Sequence, residues 1–252
     1  MPRRFALIAT IVLFIISLST TTAGATPAII GGEKASLAQH PYAVYLVDSH
    51  GTQFCGGVIV SRTAVATAAH CAAEVPTAEL SVVAGREDKR SQDGIVRAVS
   101  TAWQHPNYRT PQQGSDIAVL TVRGSLPYRP ADLARDPGRY PAGTNATVLG
   151  WGRTADGGDR SDYLRQATVP IADDSACHTA YPEYSAPAML CAGYPHGGID
   201  ACKGDSGGPL MVGDAVVGIV SYGDGCGKPG KPGMYTRVTS FADDIAAHSG
   251  PS

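Results

Sequence analysis

Apolar and polar positions along this chain alternate in short blocks. Runs rich in Val, Ile and Tyr recur at Tyr42 to Val47, Gly57 to Val60, Leu80 to Val83, Ile117 to Val122, Ala146 to Leu149 and Ala215 to Val220. Each is bounded by Gly, Pro, Asp or Ser, the pattern of strands joined by tight turns. A helical stripe is nearly absent from the interior. The best helix lies in the tail, Ser240 to Ala247, where Phe241 and Ile245 fall four apart on one face. These elements predict an all-β domain of short strands, either a barrel or a sandwich. Arg123 to Gly143 is loop-rich and apolar-poor, the place for a connection between two halves.

The N-terminus breaks this pattern. Arg3 and Arg4 precede an apolar stretch from Phe5 to Leu18, followed by small residues and the string Ala23-Gly24-Ala25. A membrane-spanning helix needs about 20 apolar residues, so this shorter run predicts a cleaved signal peptide over 1–25. That leaves Thr26-Pro27-Ala28 as a propeptide over 26–28, and a domain over 29–252. The expected product is secreted, extracellular, monomeric and free of the membrane after processing.

Composition narrows the class. With 252 residues, 43% apolar and 17% charged, the chain has ample material for a core and too little charge for disorder. A formal net charge of -2 argues against nucleic acid as a partner, since phosphate binding needs a clustered basic surface. Six cysteines, Cys55, Cys71, Cys177, Cys191, Cys202 and Cys226, read as three disulfides in an exported chain. Fifteen pairings are open to six cysteines on sequence alone. No paired Cys-x-x-Cys motifs suggest zinc, and no metal or cofactor is expected.

Three strings carry candidate chemistry. Gly204-Asp205-Ser206-Gly207-Gly208-Pro209 places a hydroxyl among glycines, where the backbone turns sharply and N–H groups can converge on one spot. Thr67-Ala68-Ala69-His70-Cys71 supplies an imidazole, and Asp116-Ile117-Ala118-Val119-Leu120 a carboxylate before an apolar strand. A Ser hydroxyl is a weak nucleophile at neutral pH. It needs a base, and the base needs a third group to fix its tautomer. Singly, the His and the Asp read as structural; together with Ser206 they form a set.

These strings, with Ile29-Ile30-Gly31-Gly32, Gly150-Trp151-Gly152, Ser221-Tyr222-Gly223 and Pro232-Gly233-Met234-Tyr235, resemble the trypsin/chymotrypsin serine peptidase family from Ile29 to the tail. The resemblance implies two six-stranded antiparallel β-barrels with a short C-terminal helix and a catalytic cleft between them. It implies catalysis by His70, Asp116 and Ser206, an oxyanion hole from the N–H groups of Gly204 and Ser206, and support of Asp116 by Ser221. It pairs Cys55 with Cys71, Cys177 with Cys191, and Cys202 with Cys226. It makes Ile29 the new N-terminus that meets Asp205 after activation, as in a zymogen. The three-residue propeptide and the number of disulfides resemble secreted bacterial trypsins.

Specificity follows from the same resemblance. Asp200 falls at the floor of the primary pocket, as in trypsin, with Gly223 and Gly233 as small walls, so cleavage after Arg or Lys is implied. Ala201, where many trypsins carry Ser, implies a preference for Arg. Lys203 falls at the pocket entrance and should disfavour basic residues flanking the bond. Tyr222 stands where Trp is usual, Gln113 falls at the second subsite, and Tyr181 borders the pocket. The expected partners are protein or peptide substrates with Arg or Lys before the cleaved bond, and protein inhibitors. The loop Gly85 to Gly94 lacks a clear ring of calcium ligands. A non-catalytic relative would lose a triad residue or the oxyanion glycine, which this chain keeps. An esterase of another fold would not show the His-Asp-Ser order.

Overall fold

The computed structural model describes Met1 and residues 29–250; the segments expected to be signal and propeptide otherwise lie outside the described residues. In chain order the elements of the first half are β1 (Glu33–Lys34), β2 (Ala43–Val47), β3 (Gln53–Ser61), β4 (Ala64–Thr67), α1 (Ala69–Glu74), β5 (Ser81–Ala84), β6 (Ile95–Gln104) and β7 (Ala118–Val122). The second half contributes β8 (Asp132–Leu133), β9 (Asn145–Gly150), β10 (Arg165–Pro170), α2 (Asp174–Ala180), β11 (Met189–Ala192), β12 (Pro209–Val212), β13 (Ala215–Tyr222), β14 (Gly233–Arg237) and α3 (Val238–His248).

The first sheet closes into a six-stranded antiparallel barrel in the order β2-β3-β4-β7-β6-β5. Its strands β2, β4 and β7 are almost wholly buried, because inward residues fill the barrel and outward ones meet the rest of the molecule. The second sheet runs β1-β10-β9-β12-β13-β14-β11, with β8 parallel to β13. Its ends meet at a bridge between Ile171 and Ala192, where Gly193 N–H donates to the Pro170 carbonyl at 2.9 Å. The six longer strands thus make a barrel-like sheet, and the two-residue strands β1 and β8 are additions to it. Curvature comes from register shifts in β12–β13 and β13–β14, since a bulge bends the strand that carries it.

Two elements differ from the apolar pattern. The strand β6 is the longest, yet much of it is exposed, Val96 at 48%. It leaves no clean alternation to read. The helices α1 and α2, of six and seven residues, are too short for a stripe, and α2 depends on a local device. Its N-cap Asp173 accepts from Ala176 N–H at 2.7 Å, satisfying a first-turn donor.

The second barrel has a core of its own, a larger core is shared between the barrels, and the chain ends cross over. The Ile29 side chain is buried in the core of the second barrel, and β1 pairs with β10 of the same sheet. At the other end, Val238, Phe241 and Ile245 of α3 pack into the shared core, where α3 meets β7 of the first barrel as well as β8 and β13. Ser61 Oγ in β3 donates to the Ser249 carbonyl just beyond that helix. Three disulfides, Cys55–Cys71, Cys177–Cys191 and Cys202–Cys226, each lie within one half. These are the pairings the family resemblance implies.

Candidate active site

The seam between the barrels brings the three candidate strings together. His70 begins its approach at the end of β4, on the first turn of α1, and its loop is tied by the Cys55–Cys71 disulfide. Asp116 enters just ahead of β7. Before it, Gly114 and Ser115 both adopt positive φ, +81° and +53°, turning the chain into the seam. Asp116 is 1% exposed and accepts three bonds. Its Oδ1 takes the His70 backbone N–H at 2.9 Å, and its Oδ2 faces His70 Nδ1 at 2.8 Å and accepts from Ser221 Oγ at 2.5 Å. The Asp116 carbonyl accepts from Thr236 Oγ1 at 2.7 Å, so strands of the second barrel hold a residue of the first. This fixes the ring by its Nδ1 side and leaves Nε2 for a proton acceptor role.

Ser206 sits on a loop docked against the first barrel. Its carbonyl accepts from Gly56 N–H of β3 at 2.7 Å. Cys71 Sγ lies 3.5 Å from His70 Nε2 and 3.6 Å from the Ser206 carbonyl, which places the two residues side by side. Ser206 Oγ itself makes no hydrogen bond among the described residues. The backbone N–H groups of Gly204 and Ser206 are likewise unengaged there. Gly204 has φ +99°, and an added Cβ would lie 2.9 Å from Arg160 Nε and 3.1 Å from Gly152 Cα, so both conformation and space demand glycine. Two free donors beside a hydroxyl can stabilise an oxyanion.

A pocket of about 210 Å³ opens beside Ser206. Asp200, Ala201, Lys203, Ser221, Tyr222, Gly223 and Gly233 all line it. Asp200 is 3% exposed. Its Oδ2 accepts from Gly227 N–H at 3.0 Å, while its Oδ1 is buried without a partner among the described residues, as is the Tyr235 hydroxyl that also lines the pocket. Burial pushes the Asp200 carboxyl up to about 7, against the hydrogen bonds from Gly227 and Ala201. A Cβ on Gly233 would come within 2.6 Å of Asp200 Oδ1, so a side chain there would fill the pocket floor. The disulfide Cys202–Cys226 spans two of the pocket's linings.

Asp205 turns away from the pocket and is fully buried. Gly152 N–H at 2.7 Å and Cys202 N–H at 2.9 Å donate to its two oxygens. No cation lies within salt-bridge distance of it among the described residues, and burial pushes its carboxyl up to about 6. Ile29, still joined to the preceding chain, holds φ +44° with a fully buried side chain.

Other expected positions lie further off. Gln113 is exposed at the end of a 3₁₀ turn over Pro111–Gln113, outside the pocket lining. Tyr181 stands behind the pocket wall, donating to the Pro232 carbonyl at 3.0 Å and meeting Tyr222 edge-on. Two residues that the sequence reading passes over belong to the site. Gln53 of β3 donates its side-chain amide to the Gly204 carbonyl at 2.8 Å. Asp156, in an exposed turn, lines the mouth of the pocket. In the loop Gly85 to Gly94, Glu87 Oε1 accepts from Ser36 Oγ at 2.7 Å and Leu37 N–H at 2.6 Å, and Asp88 pairs with Arg90 at 2.8 Å. The group Cys55, His70 and Cys71 has metal-ligand spacing, but both sulfurs are spent in a disulfide.

Comparison with known proteins agrees with this geometry. The trypsin family model matches residues 29–245. A trypsin from Saccharopolyspora erythraea is 45% identical over 216 residues, covering 85% of this chain and 95% of that protein. Trypsin eta of Drosophila melanogaster is 38% identical over 247 residues, covering 93% and 94%. Trypsin-1 of Astacus astacus is 36% identical over 237 residues, covering 88% of this chain and all of that protein. The seam geometry and these relatives together place the chain in the trypsin family, as a serine endopeptidase.

Proposed function

We propose that this enzyme is secreted and cleaves protein or peptide substrates after Arg, and after Lys with lower preference, through an acyl-enzyme on Ser206. The observation that carries the specificity is Asp200 Oδ1, a buried acceptor without a partner among the described residues, in a pocket that opens beside Ser206. A guanidinium reaching that oxygen supplies the missing donors and offsets the desolvation of the carboxylate. Ala201 adds no hydroxyl to ligate an ammonium, and Arg reaches a carboxylate in a fork without one.

His70 accepts the Ser206 proton as Oγ attacks the scissile carbonyl, while Asp116 holds the ring and stabilises the imidazolium. Free N–H groups of Gly204 and Ser206 meet the oxyanion. His70 then returns the proton to the leaving amine, and water repeats the sequence in reverse to release the acid.

Activation follows cleavage between Ala28 and Ile29. The new α-ammonium pairs with Asp205, which otherwise keeps an uncompensated buried carboxyl. Cutting also frees the φ rotation of Ile29, whose left-handed value is rarely adopted by a β-branched residue and costs about 1–3 kcal/mol. Ala28 offers no basic residue to this pocket, so a different peptidase performs the cut. The disulfides and the apolar N-terminal run support export to an oxidising compartment.

The deciding experiment is peptide-library profiling of the processed enzyme and its Asp200→Ser variant. The parent should cut after Arg above Lys, and the variant should lose cleavage after basic residues by roughly 10³-fold or more, in keeping with an unpaired buried polar site. An unchanged preference rejects the assignment. Labelling by a serine-directed phosphonate should disappear in Ser206→Ala.

A further inference from the structure

A second hollow lies beside the specificity pocket, not in it. It measures about 630 Å³ and is lined by the loop from Arg86 to Arg90, the end of β2, the residues preceding β3, and the stretch Arg153 to Asp162. Five cations face it, Arg86, Lys89, Arg90, Arg153 and Arg160, against two carboxylates, Asp159 and Asp162. This excess sits on a chain whose formal net charge is -2, so the positive charge is concentrated by the fold and not by composition.

Most of that charge is unspent. Arg90 pairs with Asp88 and Asp162. Arg86, Lys89, Arg153 and Arg160 have no carboxylate within salt-bridge distance among the described residues. Lys89 is partly buried, its Nζ facing Gln53 Oε1 at 3.5 Å, and desolvation lowers its affinity for the proton. An anion in the hollow would relieve that cost.

The hollow is continuous with the catalytic loop. Gln53 in its lining bonds the Gly204 carbonyl, and the Arg160 side chain packs over Gly204. Lys203, just before that glycine, and Ser206, two positions after it, line the specificity pocket instead. Gly204 therefore stands between the two spaces.

We propose that the chain beyond the cleaved bond passes Gly204 and that the hollow binds acidic residues from about the third position after that bond, so that the favoured substrates carry an acidic stretch shortly after the Arg. This rests on cleavage after Arg as proposed above. Exposed complementary charges act mainly on encounter and weaken with salt, which sets the test.

Three substrates separate the outcomes: a short Arg amide with nothing beyond the bond, and two peptides with the same Arg segment followed by Ala-Ala and then either three Glu or three Gln residues. Enzyme concentration is fixed by phosphonate titration. At roughly 0.01 M salt, where screening reaches about 30 Å, the Glu peptide should show kcat/KM about 5–20-fold above the Gln peptide. At about 1 M salt the ratio should approach one. In Arg86→Gln/Arg153→Gln the low-salt ratio should drop by at least half. A ratio near one in the parent at low salt, or a full ratio in the double variant, overturns the inference. Cleavage of the short Arg amide alongside that failure shows that the Arg specificity stands; no cleavage of it rejects both readings.

Discussion

Gln53 and Gly204 are joined across the seam by a 2.8 Å bond from the side-chain amide of one to the carbonyl of the other. The same amide nitrogen also donates to the Cys55 carbonyl at 3.3 Å, so it bridges β3 and the Ser206 loop. The carbonyl that Gln53 holds precedes Asp205 and belongs to the glycine whose N–H is free for an oxyanion. This bond makes Gln53 a candidate positioning residue for the proposed oxyanion hole. Gln53→Met keeps the volume and removes the donor. We expect kcat to fall about 10-fold with KM changed less than about 2-fold, the pattern of a contact used only at the transition state. Steady-state kinetics alongside a melting curve checks it; a loss confined to melting temperature would make the role merely structural.

Ser221 donates to the same oxygen of Asp116 that faces the imidazole. Removing that hydroxyl leaves a buried carboxylate one donor short, a cost of about 1–3 kcal/mol. Ser221→Ala should therefore lower kcat/KM by roughly 5–100-fold on a short Arg amide. Equal rates in the variant would show that the two bonds from His70 suffice.

Asp200 makes ligand binding depend on pH. Desolvation lifts its carboxyl to about 7 in the free pocket. Between an unfolded value near 4 and about pH 7, the folded chain holds a proton that the unfolded chain has released. The stability this group contributes is thus present at acid pH and lost as pH rises through about 7. Binding of a cation has the opposite sign, since it needs the ionised form. Affinity for benzamidine should fall toward 10-fold per unit below about pH 7, and binding at about pH 6 should release close to one proton. Calorimetry in two buffers of different ionisation heat measures that release; none at all would place the carboxyl well below this range.

Asp205 obeys the same rule until the chain is cut. Desolvation lifts it to about 6, so the uncut form loses stability from this group as pH rises through that value. An α-ammonium has a reference pKa near 8, so its pairing with Asp205 should operate between about pH 5 and 8. In a Ser206→Ala background, chains beginning at Thr26 and at Ile29 should differ most in melting temperature near pH 7. The gap should narrow below about pH 5 and above about pH 9. A gap constant across that range would mean that Ile29 contributes no charge to the site.

Much of this site can be read without the fold because its chemistry is local. Ser206 carries its glycines on either side, and Asp116 stands directly before an apolar strand. Both can be recognised from a few neighbours. Gln53 cannot, because its partner lies 151 positions away and its own surroundings are those of an ordinary strand start. Asp156 and Arg160 sit in a polar turn that reads as solvent, and only folding brings one to the pocket and the other over Gly204. The exposed strand β6 is obscured for a related reason: its partners β5 and β7 make it a strand, through backbone bonds that leave no mark on side-chain polarity.

The exchanged ends of the chain bear on how the two barrels stay together. No disulfide crosses between them, yet the strand beginning near Ile29 belongs to the second, and the helix α3, which follows the second, also packs against β7 of the first. Each half thus wears a piece of the other as a clasp. A nick in the exposed connection around Arg135 to Arg139 would sever the chain without separating the barrels, and the two fragments would travel as one particle until denaturant loosened the clasps.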